Sequence, residues 1–149
     1  MRAVIQRVSD ARVLVAGSVM GEIGRGLVVL VAVGRDDAGT VPAAMAAKVA
    51  KLRIFDDEQG KMNLALADVN GAVLVISQFT LYGSTHGQNR PSFLGAAPAE
   101  QGIAGYEEFV RALRELGVRV QTGVFQAHMS LELTNDGPVT ILIDSTKLF

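Results

Sequence analysis

The chain has 149 residues, 49% of them hydrophobic and 19% charged, with a net charge of −1 and no cysteine. This length suits one domain covering residues 1–149. The lack of cysteine excludes disulfides and thiolate chemistry, and the near-neutral charge argues against a general nucleic-acid coat. The mean hydropathy of +0.30 is high for a small domain, which predicts that a second subunit covers part of the apolar surface.

The first half of the chain predicts short strands followed by one helix. The predicted strands are Ala3–Val8, Ala11–Ala16, Val19–Ile23 and Gly26–Val33, with the middle two forming a hairpin around Gly17-Ser18. Thr40 is the expected N-cap of the helix, and Pro42 suits its first turn. Met45, Val49 and Leu52 form its apolar stripe.

Ala72–Tyr82 is the strongest predicted strand, and its character changes midway. Its first part is plain core, whereas polar residues appear among apolar ones from Ser77 onward. Strand alternation places Gln78 and Thr80 on one face, and Ser77 and Phe79 on the other. Because buried polar groups need partners, this strand end is a candidate for ligand contact, with a purely structural role as the alternative.

The second half predicts a polar loop, a second helix and three more strands. The loop covers Gly83–Pro91, the helix covers Pro98–Leu116 with Gly117 ending it, and the strands cover Val118–Thr122, Phe125–Thr134 and Val139–Asp144. Asn135-Asp136-Gly137 is expected to join the last two strands as a hairpin turn. The whole pattern predicts a single α/β domain of mixed, largely antiparallel β-sheets, layered with two main helices in a barrel-like arrangement.

The usual side-chain machinery of catalysis is missing from the sequence. There is no His-Glu-x-x-His helix, no Gly-x-Ser-x-Gly elbow and no phosphate-binding loop. His86 and His128 are far apart in sequence, so we expect no metal site and no cofactor. His86 is interpreted as an exposed loop residue, with a general base as the alternative. No signal peptide or membrane-spanning apolar run is found, which predicts a cytoplasmic protein without membrane contact.

Two segments carry a family resemblance. Ser77-Gln78-Phe79-Thr80-Leu81 and Asn135-Asp136-Gly137-Pro138-Val139-Thr140 resemble the signature pair of the D-aminoacyl-tRNA deacylase family. Further stretches fall in family order: Arg2–Val8, Gly21–Leu27, Arg53–Phe55, Gly60–Asn63, Arg90–Phe93 and Thr122–Phe125. The sequence departs from the family pattern by one extra residue before Arg90, by Gln126 where glycine is common, and by His128 where an acidic residue is common.

The resemblance implies a hydrolase that cleaves the ester between a D-amino acid and the 3′ end of tRNA. It also implies a homodimer in which the Gly-Pro of one subunit, cis in the family, enters the pocket of the other. The implied catalytic residues are Gln78, Phe79 and Thr80, and the implied substrate-binding residues are Gly137, Pro138, Ser77, Phe125, Met129 and Arg7. Gly137 and Pro138 would be the chiral selector, and Arg7 would brace them. Phe125 and Met129 would frame the adenosine or the pocket wall.

Elementary stereochemistry agrees with such a selector. Enantiomers carry the same side chain, so apolar burial does not separate them, whereas a rigid group occupying the space of an L side chain does. Glycine has no side chain that the selector could exclude, so glycyl-tRNA is an expected substrate. Lys51, Lys61 and Arg90 are candidate phosphate contacts, with ordinary solvated charges as the alternative.

Two chemical routes and three other functions stay open. Main-chain N–H groups near Phe79 and Thr80, with the substrate 2′-hydroxyl, suit a substrate-assisted reaction. Thr80 as a nucleophile is the rival, and it needs a base that the sequence does not offer. The alternative functions are a non-catalytic module that binds tRNA ends, a deacylase with a trans Gly-Pro acting on L-amino acids, and a structural dimer.

Overall fold

The computed structural model describes residues 1–148, and Phe149, the last residue of the predicted domain, lies outside them. The described part contains eight strands, two α-helices and one 3₁₀ turn. Their bounds are β1 Arg2–Val15, β2 Ser18–Ile23, β3 Gly26–Ala32, α1 Val41–Ala50, β4 Phe55–Asp56, β5 Met62–Leu64, β6 Ala72–Ser77, the 3₁₀ turn Phe79–Tyr82, α2 Ala99–Glu115, β7 Arg119–Thr122 and β8 Ser130–Asp144. The predicted α/β class with two main helices is confirmed.

The main sheet mixes antiparallel and parallel pairing. Its order is β2-β1-β3-β6-β7, with β8 paired along β1. β1 is antiparallel to β2, β3 and β8, whereas β3, β6 and β7 are parallel. Because the carboxyl ends of parallel strands lie at the same end of the sheet, the residues that follow β3, β6 and β7 come together there.

Apolar side chains are buried on both faces of this sheet. On one face, α1 and α2 pack against it, with Met45, Val49, Phe109 and Leu113 among the buried residues. On the other face, the second half of β1, β2 and the first half of β8 curl over β3 and β6. Val8, Val13, Ile23, Leu74 and Ile76 form this second core. The curl closes most of a barrel, and it explains why β3 is apolar without alternation.

The N-terminal strands differ from the prediction. The structure joins two predicted strands into β1, because the chain stays extended through Ser9 and Asp10. The hairpin turn falls on Ala16-Gly17 and not on Gly17-Ser18. Ala16 and Gly17 both have positive φ, at 48° and 81°. Two residues with φ > 0 match the twist of a tight hairpin, so the turn lies one residue earlier than predicted.

The predicted strand Ala72–Tyr82 is too long. β6 ends at Ser77, and the chain then turns into the 3₁₀ segment Phe79–Tyr82. The alternation predicted for Gln78 and Phe79 is therefore wrong, because it depended on an extended backbone. The main-chain N–H of Gln78 still donates to the carbonyl of Val31 at 2.8 Å, so the turn begins directly at the carboxyl ends of β3 and β6.

The prediction of a C-terminal hairpin is also wrong. The predicted strand from Phe125 begins only at Ser130, since Gln126 has a φ of 62° inside a turn. β8 then continues to Asp144 without reversing at Asn135-Asp136-Gly137. The pairing shows why: residues 136–139 of β8 stand opposite Arg7 alone, so the extra residues leave the ladder as a bulge. We call residues 136–139 the Gly-Pro bulge.

Candidate functional site

A cavity of about 700 Å³ opens at the carboxyl ends of β3 and β6. The end of β6, the 3₁₀ turn, the start of α2 and the segment before β8 surround it. Its lining residues are Val31, Ala32, Val33, Ile76, Ser77, Gln78, Phe79, Ala97, Ala99, Gly102, Tyr106, Phe125, Gln126, Ala127, His128, Met129 and Leu131. The volume lies within the range of small-molecule sites. Five of the predicted site residues are therefore brought together: Ser77, Gln78, Phe79, Phe125 and Met129.

The 3₁₀ turn presents main-chain donors at this cavity. Leu81 N–H donates to the carbonyl of Gln78 at 3.2 Å, which closes the turn. The N–H groups of Phe79 and Thr80 precede that first bond, so the turn itself offers them no acceptor. The phenyl ring of Phe79 packs edge-on against Phe93, with centroids 5.1 Å apart, and its side chain is 57% exposed. Two donors thus lie beside an exposed aromatic ring.

Thr80 has a hydroxyl partner but no base. The side-chain amide of Gln78 donates to the Thr80 hydroxyl oxygen. Thr80 itself is exposed and is not among the residues that line the cavity. Within residues 1–148, no carboxylate lines the cavity, and His128 is its one titratable side chain apart from Tyr106. Among the described residues, the one side-chain hydrogen bond of the Thr80 hydroxyl is with the Gln78 amide, which is not a base.

Aromatic residues and one methionine form the apolar wall. Tyr106 and Phe125 pack with ring centroids 6.0 Å apart, and the Tyr106 hydroxyl donates to the carbonyl of Val75 at 3.1 Å. Burial raises the pKa of Tyr106 to about 12, so this phenol stays a neutral donor. Gly123 lies behind Met129: a β-carbon there would be 2.5 Å from the methionine sulfur. A side chain at position 123 would therefore displace the Met129 side chain.

The start of α2 is a lining element that the sequence analysis missed. Ala97, Ala99 and Gly102 border the cavity, and their small side chains leave its mouth wide. At Gly102 a β-carbon would meet Phe125 at 3.7 Å, an ordinary contact. The available signal was this run of small residues at the start of a helix, which alone is indistinguishable from ordinary helix composition.

Arg7 holds the Gly-Pro bulge at its base. The guanidinium is buried, with 6% of the residue exposed. Its Nε donates to the carbonyl of Asp136 at 3.0 Å, and its Nη1 donates to the carbonyl of Ile54 at 2.7 Å. Across the bulge, the side-chain oxygen of Asn135 accepts from the N–H of Val139 at 2.9 Å. Both ends of the bulge are therefore fixed by hydrogen bonds.

Gly137 and Pro138 form the exposed tip of the bulge. Their peptide bond is cis, and Gly137 has a φ of 134°. A β-carbon at residue 137 would lie 2.8 Å from Val139 and 3.1 Å from the Arg7 guanidinium, so only glycine fits. Both residues are exposed, and they project from the edge strand of the sheet.

The structure does not bring the bulge to the cavity of the same chain. Arg7, at the base of the bulge, pairs with Leu27 at one end of β3, whereas Val31 at the other end lines the cavity. These two residues are four apart, a separation of roughly 13 Å at about 3.3 Å per residue. The predicted site residues thus form two groups: the cavity group, with Thr80 next to it on the 3₁₀ turn, and Arg7 with Gly137 and Pro138.

An exposed apolar row crosses the sheet between these groups. Val4 pairs with Leu30 on one side and with Leu142 on the other. Leu142 is 54% exposed, and the other two side chains are half-buried. Three neighbouring apolar side chains on one face, partly exposed, form a patch that a second copy could cover.

Within residues 1–148, no group of three or more His, Asp or Glu side chains could hold a metal ion. Neither helix of the described part has the length and apolarity that crossing a membrane needs.

Sequence comparisons with known proteins agree on one family. The sequence profile of the family described as D-Tyr-tRNA(Tyr) deacylase matches residues 4–144. The D-aminoacyl-tRNA deacylases of Thermotoga petrophila and Anaeromyxobacter dehalogenans are 58% and 59% identical over 149 residues, covering all of this chain and of each relative.

Two solved structures are similar in fold. One, described as c-Myc DNA Unwinding Element Binding Protein, is 38% identical with a TM-score of 0.91, covering 97% of this chain and 99% of that one. The second, described as a probable eukaryotic D-amino acid tRNA deacylase, is 21% identical with a TM-score of 0.77, covering 95% and 97%, and it shows the fold alone. On the sequence matches, the chain belongs to the D-Tyr-tRNA(Tyr) deacylase family.

Proposed function

We propose that this protein hydrolyses the ester of D-aminoacyl-tRNA and so removes D-amino acids from tRNA. The full-length identity to D-aminoacyl-tRNA deacylases carries this proposal. The cavity supports it, because its wall is apolar and its reacting edge consists of main-chain groups. A cytoplasmic location follows from the presence of charged tRNA there and stays a prediction.

The cavity accommodates the substrate in two parts. The aromatic rings of Tyr106 and Phe125, together with Met129, offer stacking and apolar contact to the terminal adenine. The ester carbonyl then lies toward Phe79 and Thr80. No side chain of the wall is specific for one amino-acid side chain, so many D-amino acids are accepted.

The reaction proceeds by direct attack of water on the ester carbonyl carbon. The carbonyl oxygen becomes an oxyanion, which accepts hydrogen bonds from the N–H groups of Phe79 and Thr80. One such donor contributes about 3–4 kcal/mol in other enzymes. The neighbouring 2′-hydroxyl of the ribose helps to orient and deprotonate the water. Collapse then breaks the bond to the 3′-oxygen, which takes up the proton, and releases the D-amino acid and tRNA.

We further propose that the active molecule is a homodimer in which the Gly-Pro bulge of one copy enters the cavity of the other. Three observations support this: the bulge is exposed, it is fixed by Arg7 and Asn135, and the cavity of its own chain is out of reach. The apolar row through Val4 would be covered by the same contact. Carbonyl groups of the bulge would occupy the volume of an L side chain.

The experiment is a deacylation assay on matched substrates. The purified protein is given the same tRNA charged with D-tyrosine, L-tyrosine or glycine. We expect rapid release of D-tyrosine and glycine and background release of L-tyrosine, since only the L side chain meets the bulge. Binding of all three without release would favour the non-catalytic tRNA-end module, and rapid release of L-tyrosine would contradict the selector.

A further inference from the structure

Basic side chains line two adjoining concavities at the end of the sheet opposite the cavity. One, of about 490 Å³, is lined by Ala47, Lys48, Lys51, Leu52 and Arg53. The other, of about 410 Å³, shares Lys51 and adds Arg119. No acidic side chain lines either of them within residues 1–148. We call Lys48, Lys51, Arg53 and Arg119 the basic face.

The charges of the basic face are not neutralised within the chain. All four residues are exposed, and within the described residues none has a carboxylate oxygen within 4.0 Å. Arg53 and Arg119 each donate one hydrogen bond to a main-chain carbonyl, of Asn63 and of Asn70. Each guanidinium keeps further N–H groups for an outside acceptor.

The basic face lies at the same end of the molecule as the Gly-Pro bulge. Arg53 directly precedes Ile54, whose carbonyl accepts from Arg7, and Arg7 also donates to Asp136 of the bulge. Arg119 begins β7 opposite Ala72, at the amino ends of the parallel strands. The cavity lies at their carboxyl ends. A bulge that enters a second copy's cavity therefore turns the end of its own chain that carries the basic face toward that copy.

We propose that the basic face of the subunit that donates the bulge contacts acceptor-stem phosphates of the tRNA held in the other subunit's cavity. This inference rests on the proposed function and the proposed dimer. Phosphates are recognised by Lys as a point charge and by Arg through its paired N–H groups. Each tRNA is then bound by both copies: one supplies the cavity, and the other supplies the selector and the phosphate contacts.

The first test neutralises two charges of the basic face. K48Q/K51Q removes two lysines three residues apart, and R111Q/R114Q removes two arginines with the same spacing on α2. We expect K48Q/K51Q to raise KM for D-tyrosyl-tRNA at least 10-fold with little change in kcat. Since each phosphate contact contributes about 0.7–0.9 to the slope of log affinity against log salt, the salt slope of kcat/KM should fall by about 1.5. R111Q/R114Q should leave both quantities unchanged.

A substrate without an acceptor stem separates this inference from the proposed function. D-tyrosyl-adenosine has the ester and the terminal nucleoside but no phosphates to contact. We expect wild type and K48Q/K51Q to hydrolyse it equally. No hydrolysis of either substrate by wild type would refute the proposed function, whereas equal KM values of wild type and K48Q/K51Q for D-tyrosyl-tRNA would refute the phosphate contact alone.

Mixed dimers with two affinity tags decide which subunit supplies the phosphate contact. We expect Gly102→Trp to block a cavity, because Gly102 lines it and a β-carbon there already contacts Phe125 at 3.7 Å, and the G102W homodimer provides the inactive reference. When G102W is paired with K48Q/K51Q, the open cavity faces an intact basic face, and we expect a wild-type KM. When both changes are in one subunit and its partner is wild type, the open cavity faces the neutralised basic face. The KM should then be raised as it is in the K48Q/K51Q homodimer. The reverse pattern, or a failure of the two chains to pair, would overturn the proposal.

Discussion

Thr80 shows how a single residue's surroundings discriminate between two reaction routes. Its hydroxyl accepts from the side-chain amide of Gln78, which is not a base, so in the proposed reaction its main-chain N–H is the group that acts on the oxyanion. We therefore expect T80A to keep turnover within a few-fold of wild type. A tRNA ending in 2′-deoxyadenosine should instead be cleaved at least 100-fold more slowly by both proteins. Single-turnover rates measure both effects, and loss of all activity in T80A would favour the nucleophile.

Tyr82 and Tyr106 predict an unusual alkaline titration. Burial raises the pKa of each phenol to about 12, against about 10 in an unfolded chain. The folded state keeps these protons longer, so the stability they contribute is complete below pH 10 and is lost as the pH rises toward 12. The chain has two tyrosines and no tryptophan. The near-ultraviolet tyrosinate absorbance should therefore stay flat through pH 10 in the native protein and rise there in urea; a native rise near pH 10 would contradict the burial.

At the scale of the elements, the sequence predicts repeating structure better than its interruptions. β3 and α2 follow from apolar runs and helical spacing. The 3₁₀ turn at Phe79 and the bulge at Gly137 do not, because both depend on partners distant in sequence. Asn135-Asp136-Gly137 has ordinary turn composition, yet pairing with the long β1 strand keeps β8 extended and expels the extra residues. The resemblance named the candidate residues, while only the structure shows that they lie in two separate groups.

The bulge and its buried arginine make one unit. Lysine at position 7 keeps the positive charge. It lacks the branched guanidinium that donates to the carbonyls of both Asp136 and Ile54. We expect R7K to lose about 1–3 kcal/mol of unfolding free energy and to hydrolyse L-tyrosyl-tRNA measurably, since the selector is no longer held. Chemical denaturation and the L-substrate rate test this. R12K is the control, because Arg12 is an exposed partner of Glu132; an unchanged L rate in R7K would show that the bulge needs no brace.

At the scale of the whole molecule, the proposed site combines a cavity from one chain with a selector and a basic face from the other. The cavity, its main-chain donors and its apolar wall lie at one end of the sheet, and the bulge and the basic face lie at the other. The high mean hydropathy and the exposed row through Val4 agree with a covered face between two copies. In a two-fold dimer, the bulge end of each copy would meet the cavity end of the other copy. Two complete sites would result.

The measurement that tests this most directly is the D/L selectivity of tagged mixed dimers. One chain carries G102W, and the other lacks Gly137 and Pro138, a deletion that shortens the bulge and preserves strand alternation. The one open cavity then faces an intact bulge, and we predict hydrolysis of D-tyrosyl-tRNA with rejection of the L form. With both changes in one chain and a wild-type partner, the open cavity faces the shortened bulge, and the L form should be hydrolysed. Strict D selectivity in that second dimer would contradict a selector donated by the other copy.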